Sequence, residues 1–306
     1  MSVSLSARVG TADLVVAGIL WGTGGLLGTL VQRWTHLSPI AVAAVRLAVG
    51  GLLLVGLCVL TRRAIPRGAP AWRRIGAIAV LAPVFQGCYF GAVALSSVSL
   101  ATLITIGMSP VVVALAEYLT GRRALDRTRA CGLALALTGL ALLVGTPGAD
   151  GSAALWGAAM ALGAATAFAV LTVIAAVPVP GLDPVTGTGA GFTAGAVLLA
   201  LPAAMTSTTI DPNLPGVLGA LALGLFPTAI AYTLYFRGLT GAGAGAGALL
   251  ALLEPLTGTL LAVLFLDERL GLVGWFGAAL LSLALVTAGL AAEDPDEALR
   301  IREQAG

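Results

Sequence analysis

The sequence predicts an all-α integral membrane protein in which ten transmembrane helices form two inverted five-helix repeats. Three observations lead there. The 306 residues are 58% hydrophobic and only 10% charged, with a mean hydropathy of +1.02, which excludes an ordinary soluble domain. Apolar windows of roughly 20 residues, the length of a bilayer-crossing helix, can be laid down repeatedly along the chain. Several features then recur at a constant offset of 145 residues. Open sheets leave unpaired backbone groups in lipid, so the windows are helices.

The windows run Leu14–Val31, Ser38–Leu60, Ile75–Val98, Ser99–Thr120, Thr128–Pro147, Ala153–Val177, Pro184–Ala204, Leu214–Phe236, Ala242–Leu266 and Leu270–Ala292. The first lacks a small-residue cleavage pattern and is longer than a signal-peptide core, so it reads as a span. Gly, Pro, Asp and Arg punctuate the connections; the third meets the fourth near Ser96–Ser99. All sixteen basic residues are arginines. Arg62, Arg63, Arg67, Arg73 and Arg74 follow the second span, and Arg122, Arg123, Arg127 and Arg129 follow the fourth. With alternating spans both clusters fall on one side, with Arg8, Arg237, Arg300 and Arg302; the other side keeps Arg33 and Arg269. The positive-inside rule then puts both termini of a multi-pass membrane protein in the cytoplasm. Residues 293–306 form a short charged cytoplasmic tail.

The repeat is explicit. Ser38-Pro39 and Asp183-Pro184 open the second and seventh spans, and Ser109-Pro110 and Glu254-Pro255 interrupt the fourth and ninth, each pair 145 residues apart. Leu125 and Leu270, and Gly132 and Gly277, keep the same offset. The units are expected at residues 12–147 and 152–292. An odd number of spans per unit inserts the second copy upside down. Inverted repeats with proline-interrupted helices are a signature of secondary carriers, with the substrate near the midplane.

Other functions find no support in the residues. His36 is the single histidine, and Cys58, Cys88 and Cys131 are scattered through apolar segments. No metal, haem or other cofactor site can be assembled from them, and no disulfide framework is implied. Gly241–Gly247 alternates Gly and Ala without the Lys-Ser/Thr of a phosphate loop. Small residues at that spacing suit close helix approach and a hinge or sliding surface. An intramembrane enzyme needs a nucleophile–base or paired-carboxylate set at depth, which is missing. A channel would lack the use that a carrier has for an inverted repeat with a lone midplane acid. The implied partners are a small-molecule substrate and the lipid bilayer, not nucleic acid, with protons as a candidate coupling ion. Glycine-rich faces suit either a homodimer contact or internal packing.

The chain resembles the EamA-domain transporters of the drug/metabolite transporter superfamily over about residues 12–292. The resemblance rests on Leu20-Trp21-Gly22, on Pro39 followed by Arg46, and on Gly91–Leu95 with Ser97–Ser99 and Pro110. In the second copy it rests on Tyr235–Leu239, Gly243–Gly245, Leu253-Glu254-Pro255 and Leu266–Leu270. It implies a secondary carrier of the inner (plasma) membrane, most often one that exports amino acids or other small metabolites. Two departures stand out: Gly121–Leu125 lacks the Glu-Arg-Leu ending of the second copy, and Ser109 replaces the acid before the proline. Aromatics make up only 6% of the chain, so composition gives no support for an aromatic substrate.

The charges within the spans are Arg46, Glu117 and Glu254. Glu254 lies about 18 Å from either end of its window, at the midplane. An acid at that depth is costly. It serves as a proton-coupling group, a counter-charge for a cationic substrate or a gate, or else it fixes the helix broken at Pro255. Arg46 sits at a similar height and is read as a structural or gating partner of Glu254, or as an anion contact. Glu117 is expected to snorkel to Arg122 and Arg123. Gln86, Tyr89 and Phe90 share a face, as do Thr228, Tyr232 and Tyr235; such polar groups suggest a cavity between the third and eighth spans or hydrogen bonds between helices. Trp21 is a candidate wall residue and Thr257 a candidate holder of the Glu254 carboxyl. Pro110 and Pro255 are the expected helix breaks. The reading is a carrier moving small metabolites, most simply outward, by alternating access; a proton-independent facilitator or an importer is the alternative.

Overall fold

A computed structural model describes residues 2–96, 98–144, 152–206, 213–265 and 271–292. Its helices are α1 (Ser2–Thr35), α2 (Pro39–Leu60), α3 (Ala69–Leu95), α4 (Val98–Leu119), α5 (Arg127–Val144), α6 (Ser152–Ala175), α7 (Pro184–Thr206) and α8 (Leu214–Gly224). A π-turn (Leu225–Ile230) leads into α9 (Ala231–Leu250), followed by α10 (Leu253–Phe265) and α11 (Leu272–Ala292). There is no strand among the described residues. Eight helical stretches are long and apolar enough to cross a bilayer, and two shorter apolar helices follow. Gly243 divides the longest stretch, and the part after it continues with α10 as the ninth span, so the described residues make ten spans. Ser97, Pro147, Leu266–Leu270 with Arg269, and the tail with Arg300 and Arg302 lie outside the described residues.

The helices begin where the sequence supplies caps. Ser38 Oγ accepts from Ala41 N–H ahead of Pro39, and Asn213 Oδ1 accepts from Gly216 N–H ahead of Pro215. Asp183 Oδ1 accepts from Val185 and Thr186 N–H ahead of Pro184. Proline suits the first turn, where its missing N–H is not needed. Asp183 also binds the Thr186 hydroxyl and pairs with Arg63 at 2.7 Å. Partial burial pushes its carboxyl up, but the Thr186 hydrogen bonds and the Arg63 charge outweigh that and hold it below the usual carboxylate range. Its contribution to stability is therefore complete at neutral pH and lost as pH falls through the depressed value. Asp183→Ala is expected to cost about 1 kcal/mol at pH 7 in detergent unfolding. The gap from wild type should narrow below about pH 4.

Packing follows the exchange of two units. α2 lies on α7 and α5 on α11; α3 on α6 is matched by α1 on α8 and α9. Likewise, α4 on α6 is matched by α1 on α10, and α3 on α7 by α2 on α8. Small residues allow the closest crossings, as expected where lipid offers no hydrophobic drive to pack. At the α5–α11 crossing a Cβ on Gly139 would sit 2.6 Å from Leu281 N, so only glycine fits. Contacts at the helix ends agree with strict alternation. Ser38 meets Thr206 and Asn213 meets Trp34 at one end; Arg63 meets Asp183 and Arg237 meets Asp13 at the other.

Two expectations need correction. The ninth span is not one helix with a proline at its centre. Gly243 (φ 84°, ψ 166°) interrupts it first, in a conformation open essentially to glycine alone. A second break falls at Ala251-Leu252. Pro255 has no N–H for the Ala251 carbonyl, which accepts from Glu254 N–H at 3.0 Å instead. Glu117, in turn, does not snorkel to Arg122 and Arg123. It forms an ion pair with Arg129 of α5, the two side chains 11% and 12% exposed, beneath Gly245 of α9. Gly245 has no side chain, and the pair fills the space a larger residue would occupy.

Candidate functional site

A cavity of about 450 Å³ opens between α1, α2, α3 and α4, in their halves away from the arginine-rich connections, and reaches in to α6, α9 and α10. Along α1 its wall climbs from Trp21 past Thr29 to Arg33, and on α2 it runs from Pro39 to Arg46. Its mouth therefore lies at the end where α1 passes to α2, opposite the arginine-rich connections.

The structure brings most of the sequence-selected residues to this one space. Trp21, Arg46, Gln86, Tyr89, Tyr232 and Glu254 line it. Glu254 lies in the first turn of α10 at the second break, half-buried and lining the cavity. Arg46 extends from α2 to the π-turn, where Nε donates to Thr228 Oγ1 at 3.3 Å and Nη2 to the Pro227 carbonyl at 3.4 Å. Thr228 donates in turn to the Leu223 carbonyl. Thr228 thus positions Arg46 rather than facing the space. Arg46 and Glu254 share the cavity without closing to an ion pair, which leaves two opposite charges available across one space.

Thr257 is placed elsewhere. It packs on Gly22 of α1, where a Cβ would collide with its side chain, and among the described residues no hydrogen bond joins it to Glu254. Of the two break prolines, Pro255 lies in the first turn of α10, whereas α4 runs unbroken through Pro110. The hydroxyl of Ser109 next to it is buried without a partner.

The aromatic residues are few but sorted. Trp21 packs against Tyr232 (centroids 4.9 Å apart), Tyr235 (4.7 Å) and Phe168 (5.8 Å). Phe85 continues the chain to Phe168 and Tyr89, and Tyr89 to Phe90. Phe192 and Phe236 close it below Tyr232. The other aromatics, such as Trp72, Trp156 and Phe276, are exposed on the outside of the bundle. A low average thus conceals an aromatic-walled cavity. Tyr89 O–H bonds Thr102 of α4 at 2.9 Å, and Tyr235 O–H bonds Thr172 of α6 at 2.8 Å. The Trp21 indole N–H is buried and has no protein partner.

Sequence reasoning did not single out Phe85, Phe168, Thr102, Gln32 or Arg33 as wall residues. Phe168 sits in a helix that is apolar all round, so no periodicity marks it. Gln32 and Arg33 belong to α1, which extends to Thr35, beyond the apolar window. Asp13 was also missed. It lies inside α1, only 9% exposed, and both its oxygens accept from Arg237 at 2.6 and 2.5 Å. Its signal was an acid at the very start of an apolar run facing the arginine-rich side.

The family model of the EamA-like transporters matches the chain twice, over residues 10–145 and 155–289. The chain is 31% identical over 275 residues to the uncharacterized transporter YwfM of Bacillus subtilis, covering 89% of this chain and 91% of that protein. It is 30% identical over 283 residues to a WAT1-related chloroplastic protein of Arabidopsis thaliana, covering 89% of this chain and 67% of that one. A solved crystal structure superposes with a TM-score of 0.78 at 20% identity, over 92% of this chain and 98% of its own, a likeness of fold alone.

Proposed function

Because the chain belongs to the EamA-like transporter family, we propose that it is a secondary carrier exporting small zwitterionic metabolites, amino acids or their close relatives, across the cell membrane. The carrying observation is the pair of opposite charges, Arg46 and Glu254, that face one aromatic-walled cavity unpaired. A guanidinium with donors to spare receives a carboxylate. A carboxylate at bilayer depth receives an ammonium group, which offsets its own desolvation. The aromatic rings supply an apolar wall and the two charged groups its polar points, the usual make-up of a small-molecule site. A volume near 450 Å³ suits a molecule of amino-acid size.

With the arginine-rich connections cytoplasmic, the present state faces outward, and transport proceeds by alternating access between the two inverted units. No ATP-binding motif is found in the sequence, so the driving force is a solute or ion gradient, with Glu254 the coupling group. The test is efflux from proteoliposomes over a panel of amino acids and related metabolites, with and without an imposed pH gradient. Saturable flux of zwitterions, faster with the gradient, is expected. Flux that rises linearly with concentration marks a channel and overturns the reading, as does preference for substrates lacking either charge.

A further inference from the structure

We propose that a second, smaller cavity between α3, α6, α7 and α9 is the closed inner mouth of the same pathway, held shut by the hydrogen bond between Tyr235 and Thr172. This rests on the carrier reading above. The cavity, about 290 Å³, opens among the arginine-rich connections and is lined by Arg74, Ala175, Pro184, Gly187, Phe236 and Arg237, among others.

Its walls repeat those of the outer cavity through the internal symmetry. Pro184 and Gly187 of α7 stand where Pro39 and Val42 of α2 stand in the outer wall, both pairs 145 residues apart. The dipeptide Tyr89-Phe90 of α3 recurs as Tyr235-Phe236 in α9, 146 residues on, one more than the offset of the other repeated pairs. Phe90 lines the outer cavity and Phe236 the inner one. Two spaces built from equivalent positions of inverted units, one wide and one narrow, are the two ends of one route in one of its states.

What separates them is one turn of α9 and the rings around it. Tyr232 borders the outer cavity and Phe236 the inner, 5.9 Å apart between ring centroids. Tyr235 lies between them, 1% exposed, and its hydroxyl ties α9 to Thr172 of α6. The equivalent Tyr89 is not tied to α1, the counterpart of α6; its hydroxyl bonds Thr102 on α4. The two tyrosines thus distinguish the ends. Where the mouth is shut, the tyrosine bridges to the first helix of its own unit. Where it is open, the tyrosine has let go of that helix and bonds the fourth helix of its unit instead. α6 packs along α9 while the cavity parts α1 from α3 and α4.

The test uses the full chain with Cys58, Cys88 and Cys131 replaced by Ala and a reporter, Ala175→Cys, in the inner cavity. Labelling by a membrane-impermeant maleimide is followed in vesicles of defined orientation. Tyr235→Phe and Thr172→Val are each expected to speed labelling from the arginine-rich face about fivefold, the factor that one net hydrogen bond is worth. The double variant should be no faster than either single one. Unchanged labelling, or factors that multiply in the double variant, overturns the proposal. Labelling needs no substrate, so it decides the matter even if the panel above finds no flux. Where flux is found, a bulky adduct at position 175 should stop it, and full flux past the adduct also overturns the proposal.

Discussion

Glu254→Gln should lower zwitterion efflux about 100-fold or more while leaving protein yield and monodispersity unchanged. Removing one partner of a desolvated, hydrogen-bonded charge pair costs about 2–5 kcal/mol, and each 1.4 kcal/mol is tenfold. The glutamine keeps the shape of the side chain, and the Ala251–Glu254 bond that starts α10 joins main-chain atoms, so the helix start survives. The pattern across substrates is the informative part. An analogue without the ammonium group should be transported by the variant at least as well as by wild type, because Arg46 keeps its carboxylate contact. Stimulation by a pH gradient should vanish. Zwitterion efflux at the wild-type rate and still sensitive to pH would remove Glu254 from both recognition and coupling.

Arg129→Met is the substitution expected to damage stability most, by about 3–5 kcal/mol in a thermal or denaturant unfolding experiment. It leaves the Glu117 carboxylate uncompensated between α4, α5 and the glycine-rich segment, where it is only 11% exposed. Adding Glu117→Leu should restore most of the loss. Arg129 Nη1 is already buried without a partner, so the intact pair is not a fully satisfied network, and an apolar pair of similar volume is no worse. A cost below 1 kcal/mol for Arg129→Met would show that the pair behaves as an exposed one.

Both results concern charges that the sequence displayed, yet it ranked them unequally. Glu254 was legible because an acid beside a proline in an apolar window is costly whatever surrounds it. Arg46 was legible for the same reason. Glu117 was not, since four arginines follow it closely and nothing local selects Arg129 over Arg122 or Arg123. The choice is made by Gly245 on another helix, a tertiary fact. The repeat, the alternation of spans and the capped helix starts could all be read directly, because each is a local pattern or a constant offset. The break at Gly243 could not, in a segment where Gly alternates with Ala and every glycine looks alike. Composition misled on the aromatics, since an average does not say which face of which helix a ring occupies. The Thr228, Tyr232 and Tyr235 face was laid out on an ideal helix, but the π-turn widens the backbone there. Thr228 turns toward Arg46, Tyr232 toward the cavity and Tyr235 toward α6.

That π-turn has a consequence for how the site can vary. One of the groups holding the Arg46 guanidinium is the main-chain carbonyl of Pro227, exposed by the irregular turn. A main-chain ligand is the same in every residue type, so no exchange of side chains at position 227 deletes it. The rest of the cavity wall is built of side chains that single substitutions can replace. The arginine therefore has a mutationally protected anchor inside a wall free to change, a division that lets the wall vary while the guanidinium stays in place.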